Sequence, residues 1–390
     1  LQGAAVCVDN STNYVVAIVG GRGTKDSYNR AYLSARQSGS SIKPLIDYTP
    51  AFETGAYSPS TVVNDQPIGN GPKNAGGGYR GSLHLREAVQ RSINTIAWQV
   101  LEKITPKYGM SFLDKMHFHN LSYVDNDNLS LSLGGFTEGV RVVDMAKGFS
   151  TLANNGSYSE KTCIQKIEHV SDGTVYKSSN DTTQVYTEDA AWMMTDVLKG
   201  VLNEPYGTGR SLKLDNGQIA AGKTGTTSDK KDGWFCGYTP YYSTAVWVGY
   251  DNPRAVSNLY GSTYPLYIWH EFMGELHSGM EYADFVYDTG SSDNTGDKYQ
   301  TTGDDTRATK APKETIDPSA TSTENETTST EPAVTDAPQK DDGTEPSTPD
   351  DNSQGDGSSV ATAKPQKPSQ DNNYEDVGQE TTQEDVTGGQ

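Results

Sequence analysis

Residues 28–45 read YNRAYLSARQSGSSIKPL, and this segment places a serine three residues before a lysine, Ser40 and Lys43. The following Pro44 has no backbone N–H and clashes with the carbonyl four residues earlier, so a helix accepts it only within the first turn. A helix in this segment therefore begins at Ser40, and Lys43 lies one turn further along on the same face. Gly39 permits the sharp backbone turn that leads into the helix.

A serine at a helix N-terminus is well placed to act as a nucleophile. Unpaired N–H groups and the positive end of the helix dipole lie beside Ser40, where they favour a developing oxyanion. A serine hydroxyl is a weak nucleophile until a base takes its proton, and Lys43 can be that base if burial or a second cation lowers its pKa. A rival Ser-x-x-Lys pattern, Ser228 to Lys231, lies among charged residues with no apolar neighbour and is typical of a solvated turn.

A second motif, Ser92-Ile93-Asn94, follows an amphipathic run of residues. The pair could present a hydroxyl and an amide to the same cleft as Ser40. Ser-x-Asn is a weak signal by itself, because such residues also cap the ends of helices. We therefore keep both interpretations of Ser92 and Asn94.

The third motif is Lys223-Thr224-Gly225-Thr226, preceded by apolar residues that indicate a strand. Lys223 is a candidate for the second cation, although a lysine on a strand edge can also serve only to discourage aggregation. Gly225 would let a substrate backbone approach the strand edge closely, and Thr224 and Thr226 would offer hydroxyls to a carboxylate.

The order of predicted elements indicates an α+β fold. Two β-branched runs within residues 4–21 predict an opening hairpin, residues 54–81 predict a long loop, and residues 217–250 return to strands. Apolar residues at helical spacing predict helices over residues 85–100, 142–152, 187–198 and 264–276. We expect an antiparallel sheet flanked by helices, closed by pairing the first hairpin with the last strands.

Composition divides the 390 residues into two parts. Residues 291–390 carry 22 acidic and 7 basic residues, which leaves 29 and 24 of the chain's 51 and 31 for the first 290 residues. Every Trp, Met, Phe, Cys and Leu lies before residue 291, so the last hundred residues have little to bury. We predict one globular domain over residues 1–288 and a disordered acidic tail over residues 289–390. The acidic balance and the lack of a basic patch argue against binding of nucleic acid.

Cysteine usage and hydropathy indicate neither a metal site nor a membrane span. Cys7, Cys163 and Cys236 are odd in number and far apart, so each is expected to be a small buried hydrophobe. No apolar run approaches the ~20 residues of a membrane span. The chain begins with Leu1 rather than Met, and we expect a fragment or a processed product.

The ordered set of motifs resembles the penicillin-binding transpeptidase family, and specifically the transpeptidase module of its class A, bifunctional members. The resemblance extends from residue 2 to about residue 276. It is carried by QGAAVCVD, VVAIVGG, YNRAYLSARQSGSSIKPL, YRGSLHLREAVQRSINTIA, LSLGGFTEGVRVVDMAKGFSTLANNG, YGTGR, AGKTGTT, KDGWFCGYTP and VWVGYDNP. The sequence departs from the family pattern at Ser38, Ile42 and His84, outside the catalytic set. The implied fold is that of penicillin-binding proteins and serine β-lactamases.

The resemblance implies a role for each motif residue. Ser40 would attack the penultimate D-alanine carbonyl of a stem pentapeptide, Lys43 would accept its proton, and Ser92 would relay a proton to the departing D-alanine. Lys223 would polarise that relay. Asn94 would bind the substrate amide. Thr224 and Thr226, with Gly225 between them, would bind the terminal carboxylate, and the N–H groups of Ser40 and Thr226 would form an oxyanion hole.

The implied activity is that of a peptidoglycan D,D-transpeptidase, which cross-links the bacterial cell wall and maintains cell shape. The implied partners are stem peptides of the wall and β-lactams, with no metal and no cofactor. The implied location is the extracytoplasmic face of the cell membrane, reached through an N-terminal anchor that is absent from this chain, as is a glycosyltransferase module. The alternatives are a D,D-carboxypeptidase, a β-lactamase and a non-catalytic β-lactam sensor. A β-lactamase would need a deacylating carboxylate, and Glu138 is more typical of a structural turn.

Overall fold

The computed structural model describes residues 1–23 and 27–287, so the predicted tail lies outside the described residues. The helices are α1 (Arg30–Leu33), α2 (Thr49–Glu53), α3 (Leu85–Gln90), α4 (Asn94–Ile104), α5 (Pro106–Lys115), α6 (Val142–Ala153), α7 (Glu188–Asn203) and α8 (Tyr264–Leu276). The strands are β1 (Gln2–Asp9), β2 (Val15–Val19), β3 (Val62–Asp65), β4 (Gly81–His84), β5 (Ser157–Ser159), β6 (Lys166–Glu168), β7 (Val175–Lys177), β8 (Thr182–Gln184), β9 (Ala221–Thr226), β10 (Asp232–Tyr238) and β11 (Tyr242–Gly249).

A five-stranded antiparallel sheet in the order β2-β1-β11-β10-β9 organises the fold. The opening hairpin pairs with the last strand, and Ala4 lies opposite Trp247. This pairing confirms the predicted closure of the sheet. In the part of the chain that the structure describes, β9 pairs only with β10, so no strand is paired with its other edge.

Helices cover both faces of this sheet. α6 packs against β1 and β11 on one face, and α8 packs against β10 and β11 on the other. Because successive strand residues point to opposite faces, Trp234 joins the larger core cluster, whereas its neighbour Phe235 joins a second cluster with Trp269 of α8. All seven residues of β10 are buried as a result.

The predicted helix at Ser40 begins with a 3₁₀ turn, Gly39–Ile42, and continues through a π-helical turn, Pro44–Tyr48, into α2. Gly39 has φ +54°, which supplies the predicted sharp turn. Pro44 opens the wider π turn, in which its carbonyl accepts a hydrogen bond from the backbone N–H of Thr49, five residues further along. Ser40 therefore lies in the first turn, as predicted.

Three side-chain contacts fix the segments around the sheet. The guanidinium of Arg36 forms a buried ion pair with Asp232 at the start of β10, with 2.8 Å between Nε and Oδ1. At the other end of the domain, residues 281–287, here called the C-terminal strap, return across the sheet ends. Within the strap, Phe285 packs edge-on against Tyr238, and Tyr287 stacks on Trp192 with ring centroids 5.4 Å apart.

The structure corrects three predictions. The single helix predicted over residues 85–100 is two helices, because Ser92 has φ +59° and breaks the helix between α3 and α4. The predicted loop over residues 54–81 contains a short strand, β3, paired with β4. Cys7 and Cys236 are buried as expected, but Cys163 is exposed.

Candidate active site

Ser40 lies where the 3₁₀ turn meets the end of β9. A Cβ atom on Gly39 would come within 2.7 Å of the Thr226 carbonyl oxygen, and a Cβ atom on Gly134 would come within 2.4 Å of the backbone of Gly39. The backbone of Gly39 therefore lies so close to the backbones of Thr226 and Gly134 that only glycine fits at positions 39 and 134. The side chain of Ser40 is partly exposed, and its hydroxyl makes no hydrogen bond within the described ranges.

Lys43 lies behind Ser40 and is fully buried. Its Nζ donates to Asn94 Oδ1 at 2.8 Å and to the Ser92 carbonyl at 3.1 Å, with a longer contact to the Ile93 carbonyl at 3.5 Å. Burial lowers the pKa of Lys43 to about 7, partly opposed by the negative charge of Asp47. The amine is therefore close to half neutral at physiological pH, as a general base requires.

Lys223 approaches the same motif from β9. Its Nζ donates to the Ser92 hydroxyl at 2.8 Å and to the Thr224 carbonyl at 3.2 Å. Burial, together with the positive charge of Lys43, holds the pKa of Lys223 well below its usual value. The predicted proximity of two cations is present in the structure.

Ser92 lies between the two lysines, at the break between α3 and α4. Its hydroxyl accepts from Lys223 and its carbonyl accepts from Lys43. The neighbouring Asn94 uses both atoms of its amide, because Oδ1 accepts from Lys43 and Nδ2 donates to the Lys73 carbonyl at 3.0 Å. Lys43 thus joins the second motif to the first, and Lys223 joins it to the third.

The third motif lines the edge of β9. The hydroxyl of Thr226 accepts from the Gly261 N–H at 2.9 Å. A Cβ atom on Gly225 would come within 2.4 Å of the Ser38 carbonyl oxygen, so this glycine is required by the serine segment itself. The prediction for Gly225 had a different reason, namely that a substrate backbone would approach the strand edge closely.

Two residues that the sequence analysis did not assign to the site belong to it. The hydroxyl of Thr208 lies 2.7 Å from the hydroxyl of Thr224, and the available sequence signal was its place in YGTGR, one of the segments that carry the family resemblance. Asp47 is fully buried, and neither of its carboxyl oxygens has a hydrogen-bond partner in the described chain. Burial raises the pKa of Asp47 well above its usual range, although Lys43 and Lys223 oppose the shift. Its spacing of four residues from Lys43 was the available signal.

Comparison of the sequence with known proteins identifies the family of this chain. The sequence profile of the penicillin binding protein transpeptidase domain matches residues 3–273. The chain belongs to this family. Penicillin-binding protein 1A of Clostridium botulinum (strain Hall) is 35% identical over 297 residues, which are 72% of this chain and 35% of that protein. Penicillin-binding protein 4 of Bacillus subtilis is 35% identical over 274 residues, 69% of this chain and 43% of that protein.

Solved structures give the same transpeptidase fold. The PonA1 protein from Mycobacterium tuberculosis, in complex with penicillin V, matches with a TM-score of 0.64 and 27% identity over 73% of this chain and 80% of that chain. Penicillin-Binding Protein 1A from Haemophilus influenzae matches in fold with a TM-score of 0.63, covering 73% of this chain and 49% of that chain. The predicted family and the α+β fold are confirmed, and the transpeptidase domain spans less than half the length of the curated relatives.

Further observations concern metals, membranes and Glu138. Within residues 1–23 and 27–287, no group of three or more His, Cys, Asp or Glu side chains is arranged to hold a metal ion. In the same ranges, no helix combines the length and the apolar character that crossing a bilayer requires. Glu138 of the transpeptidase domain is exposed and forms no ion pair with another described residue, as expected for a structural turn.

Proposed function

We propose that the domain is a peptidoglycan D,D-transpeptidase whose nucleophile is Ser40. The observation that carries the proposal is the bridge formed by Ser92, whose hydroxyl binds Lys223 while its carbonyl binds Lys43. Both lysines are fully buried, so their charges act on the site with little screening by water. Ser40 lies in the same motif as Lys43, and its partly exposed hydroxyl makes no hydrogen bond with another described residue, so it is available to react.

The hydrogen bonds of Lys43 support its role as the base. A neutral amine has two hydrogens, and the two shorter contacts of Nζ, to Asn94 Oδ1 and the Ser92 carbonyl, use both of them. The remaining lone pair is then free to accept the proton of Ser40. Because the pKa of Lys43 is lowered to about 7, this neutral form is accessible at physiological pH.

Acylation then follows as a balanced sequence. Ser40 Oγ bonds to the penultimate D-alanine carbonyl carbon while its proton passes to Lys43, and the N–H groups of Ser40 and Thr226 stabilise the oxyanion. When the intermediate collapses, the C–N bond breaks and the Ser92 hydroxyl gives its proton to the departing D-alanine. Lys223, hydrogen-bonded to Ser92, restores that proton. An amine of a second stem peptide then attacks the ester carbonyl carbon and passes a proton through Ser92 to Lys223. The bond from Ser40 Oγ to that carbon breaks, Oγ takes back its proton from Lys43, and the new amide is the cross-link.

Three hydroxyls make a subsite for the terminal carboxylate of the donor peptide. Thr224 and Thr226 lie on β9, and Thr208 adds a third hydroxyl beside Thr224. A β-lactam carries an equivalent carboxylate next to a strained amide, so we propose that it acylates Ser40 by the same route. The proposed location is the outer face of the cytoplasmic membrane, where peptidoglycan is cross-linked.

Labelling with a fluorescent penicillin tests the nucleophile. The wild-type protein should form one covalent adduct, whereas Ser40→Ala should form none. Ser228→Ala is the matched control, because Ser228 begins the rival Ser-x-x-Lys pattern, and this variant should label like wild type. Equal labelling of wild type and Ser40→Ala would refute the assignment.

Product analysis with lipid-linked substrate tests the reaction. We expect cross-linked dimers of stem peptides, accompanied by release of one D-alanine per cross-link. Release of D-alanine without a cross-link would identify a carboxypeptidase. Acylation by penicillin with no turnover of stem peptide would identify a sensor.

A further inference from the structure

The segment between β3 and β4 lies against the N-terminus of α4. The helix begins without a cap of its own, because its N-cap residue, Ile93, makes no side-chain hydrogen bond to the helix. Asn74 supplies one from 20 residues earlier in the sequence, since its Oδ1 accepts from the backbone N–H of Asn94 at 2.9 Å and of Thr95 at 3.2 Å. These are two of the N–H groups that have no partner within the helix.

The orientation of the Asn74 amide is fixed from its other side. Its Nδ2 donates to Asp65 Oδ1 at 2.8 Å and to the Gly78 carbonyl at 3.0 Å. Asp65 is 1% exposed and also accepts from the Thr95 hydroxyl at 2.5 Å and the Arg80 N–H at 2.9 Å. Because a carboxylate only accepts, Nδ2 must face Asp65, and Oδ1 must therefore face α4.

The adjacent Lys73 fixes the amide of Asn94 in the same way. The Lys73 carbonyl accepts from Asn94 Nδ2 at 3.0 Å, whereas Asn94 Oδ1 accepts from the buried Lys43. One hydrogen of Nδ2 is thereby used. Lys73 and Asn74 fix the position of the start of α4, and this position sets the direction of the second hydrogen of Asn94 Nδ2.

We propose that Asn74 is a positioning residue for the transpeptidase site. Asn74 caps α4, and its neighbour Lys73 supplies the carbonyl that binds Asn94 Nδ2. Together these contacts point the second amide hydrogen of Asn94 at a carbonyl of the substrate, which belongs to the amide group next to the bond that Ser40 attacks. In a penicillin, that carbonyl belongs to the acylamino side chain. The inference rests on the proposed function, because it concerns how a donor peptide or β-lactam is held while Ser40 reacts.

Two β-lactams that differ at this amide give the test. Benzylpenicillin has the acylamino carbonyl, whereas 6-aminopenicillanic acid has a free amine in its place. We expect Asn74→Ala to lower the second-order rate constant of acylation by benzylpenicillin about tenfold, the value of one hydrogen bond. The rate constant for 6-aminopenicillanic acid should change less than about twofold. The ratio of the two rate constants is the readout, because a general loss of structure would lower both.

Asn70→Ala is the matched control, since Asn70 is an exposed asparagine of the same segment with no hydrogen bond among the described residues. It should leave both rate constants unchanged. A wild-type ratio in Asn74→Ala would overturn the inference while leaving the proposed function intact. A wild-type protein that neither lactam acylates would instead refute the proposed function. Titration of the reactive serine in each variant corrects the rate constants for any unfolded fraction.

Discussion

Two buried lysines bind Ser92, Lys43 through its carbonyl and Lys223 through its hydroxyl. In the proposed mechanism, the two lysines need opposite protonation states. In that mechanism, Lys43 must be neutral to accept the proton of Ser40, whereas Lys223 must be charged to polarise Ser92. Their mutual repulsion favours such a division, because removing one proton from a like-charged pair relieves it. The proposed mechanism places the remaining charge on Lys223, whose Nζ donates to the Ser92 hydroxyl, against the burial and the charge of Lys43 that lower the pKa of Lys223.

The pKa of Lys43 predicts how acylation depends on pH. Because the base form is populated only above a pKa of about 7, the acylation rate should fall about tenfold per pH unit below that value and level off above it. Rates of labelling by a fluorescent penicillin between pH 5 and pH 8 measure the profile. Lys147→Met is the control, since the pKa of this remote lysine is also lowered, to about 8, and its loss should leave the profile unchanged. A flat profile would contradict a lysine base.

Asp47 predicts a shift of that profile. Its negative charge raises the pKa of Lys43, so Asp47→Asn should lower the pKa of the base and move the acid limb to lower pH. Acylation at pH 6 should then be faster than in wild type. The isosteric amide forfeits no hydrogen bond, because both oxygens of Asp47 lack a partner in the described residues. An acid limb at the same pH in Asp47→Asn and in wild type would show that the Asp47 carboxyl of the wild-type protein is already protonated.

At the scale of elements, the serine turn depends on contact between backbones. Gly134 has φ +78°, and a Cβ atom there would lie 2.4 Å from the backbone of Gly39. Gly134→Ala should therefore displace the turn and slow acylation by about 10² or more, since a misplacement near 1 Å has that effect. It should also cost more than the ~1–2 kcal/mol of a left-handed alanine.

Gly55→Ala separates the two causes, because Gly55 has φ +69° but open space around its Cβ position. That variant should lose only the conformational part of the free energy of unfolding and should acylate like wild type. Urea unfolding and penicillin labelling measure both effects. Similar rates for the two alanine variants would show that the contact with Gly39 is unimportant.

Elements with local signals were predictable from the sequence. Thr187 caps α7 as predicted, with its hydroxyl accepting from the Ala190 N–H, and α8 has the predicted bounds. The break at Ser92 was only partly predictable, because Ser-x-Asn is typical of a helix end, whereas apolar spacing continues across it and a positive φ at a serine has no local signature. That conformation is retained by distant groups, the two lysines that bind Ser92.

The same distinction applies to the site. The three motifs were found because each is a short run of sequence. Thr208, Asp47 and Asn74 were not assigned, since their relevance comes from contacts or burial formed only in the fold. In particular, the cap of α4 comes from a segment that the sequence showed only as a loop.

At the scale of the whole molecule, the C-terminal strap closes the core. Phe285 packs on Tyr238, and the side chain of Gln218 exchanges two hydrogen bonds with the backbone of Ala283. A chain ending at residue 290 should therefore match the full protein in melting temperature and acylation rate. A chain ending at residue 280 should lose about 3 kcal/mol or more of unfolding free energy, comparable to truncating a buried aromatic residue.

Thermal and urea unfolding of the two shortened chains, with labelling of Ser40, decide the matter. Equal stability of the chains ending at residues 280 and 290 would show that the strap adds nothing. Loss of labelling in the longer one would show that residues beyond 290 support the site.

The glycines at 39, 134 and 225 leave no room for a single added carbon around the reactive serine. In the proposed mechanism, a substitution at any of these glycines should displace the Ser40 turn and slow the cross-linking reaction together with acylation by a β-lactam, so these positions offer no route to resistance. We expect resistance substitutions to accumulate at exposed rim positions instead.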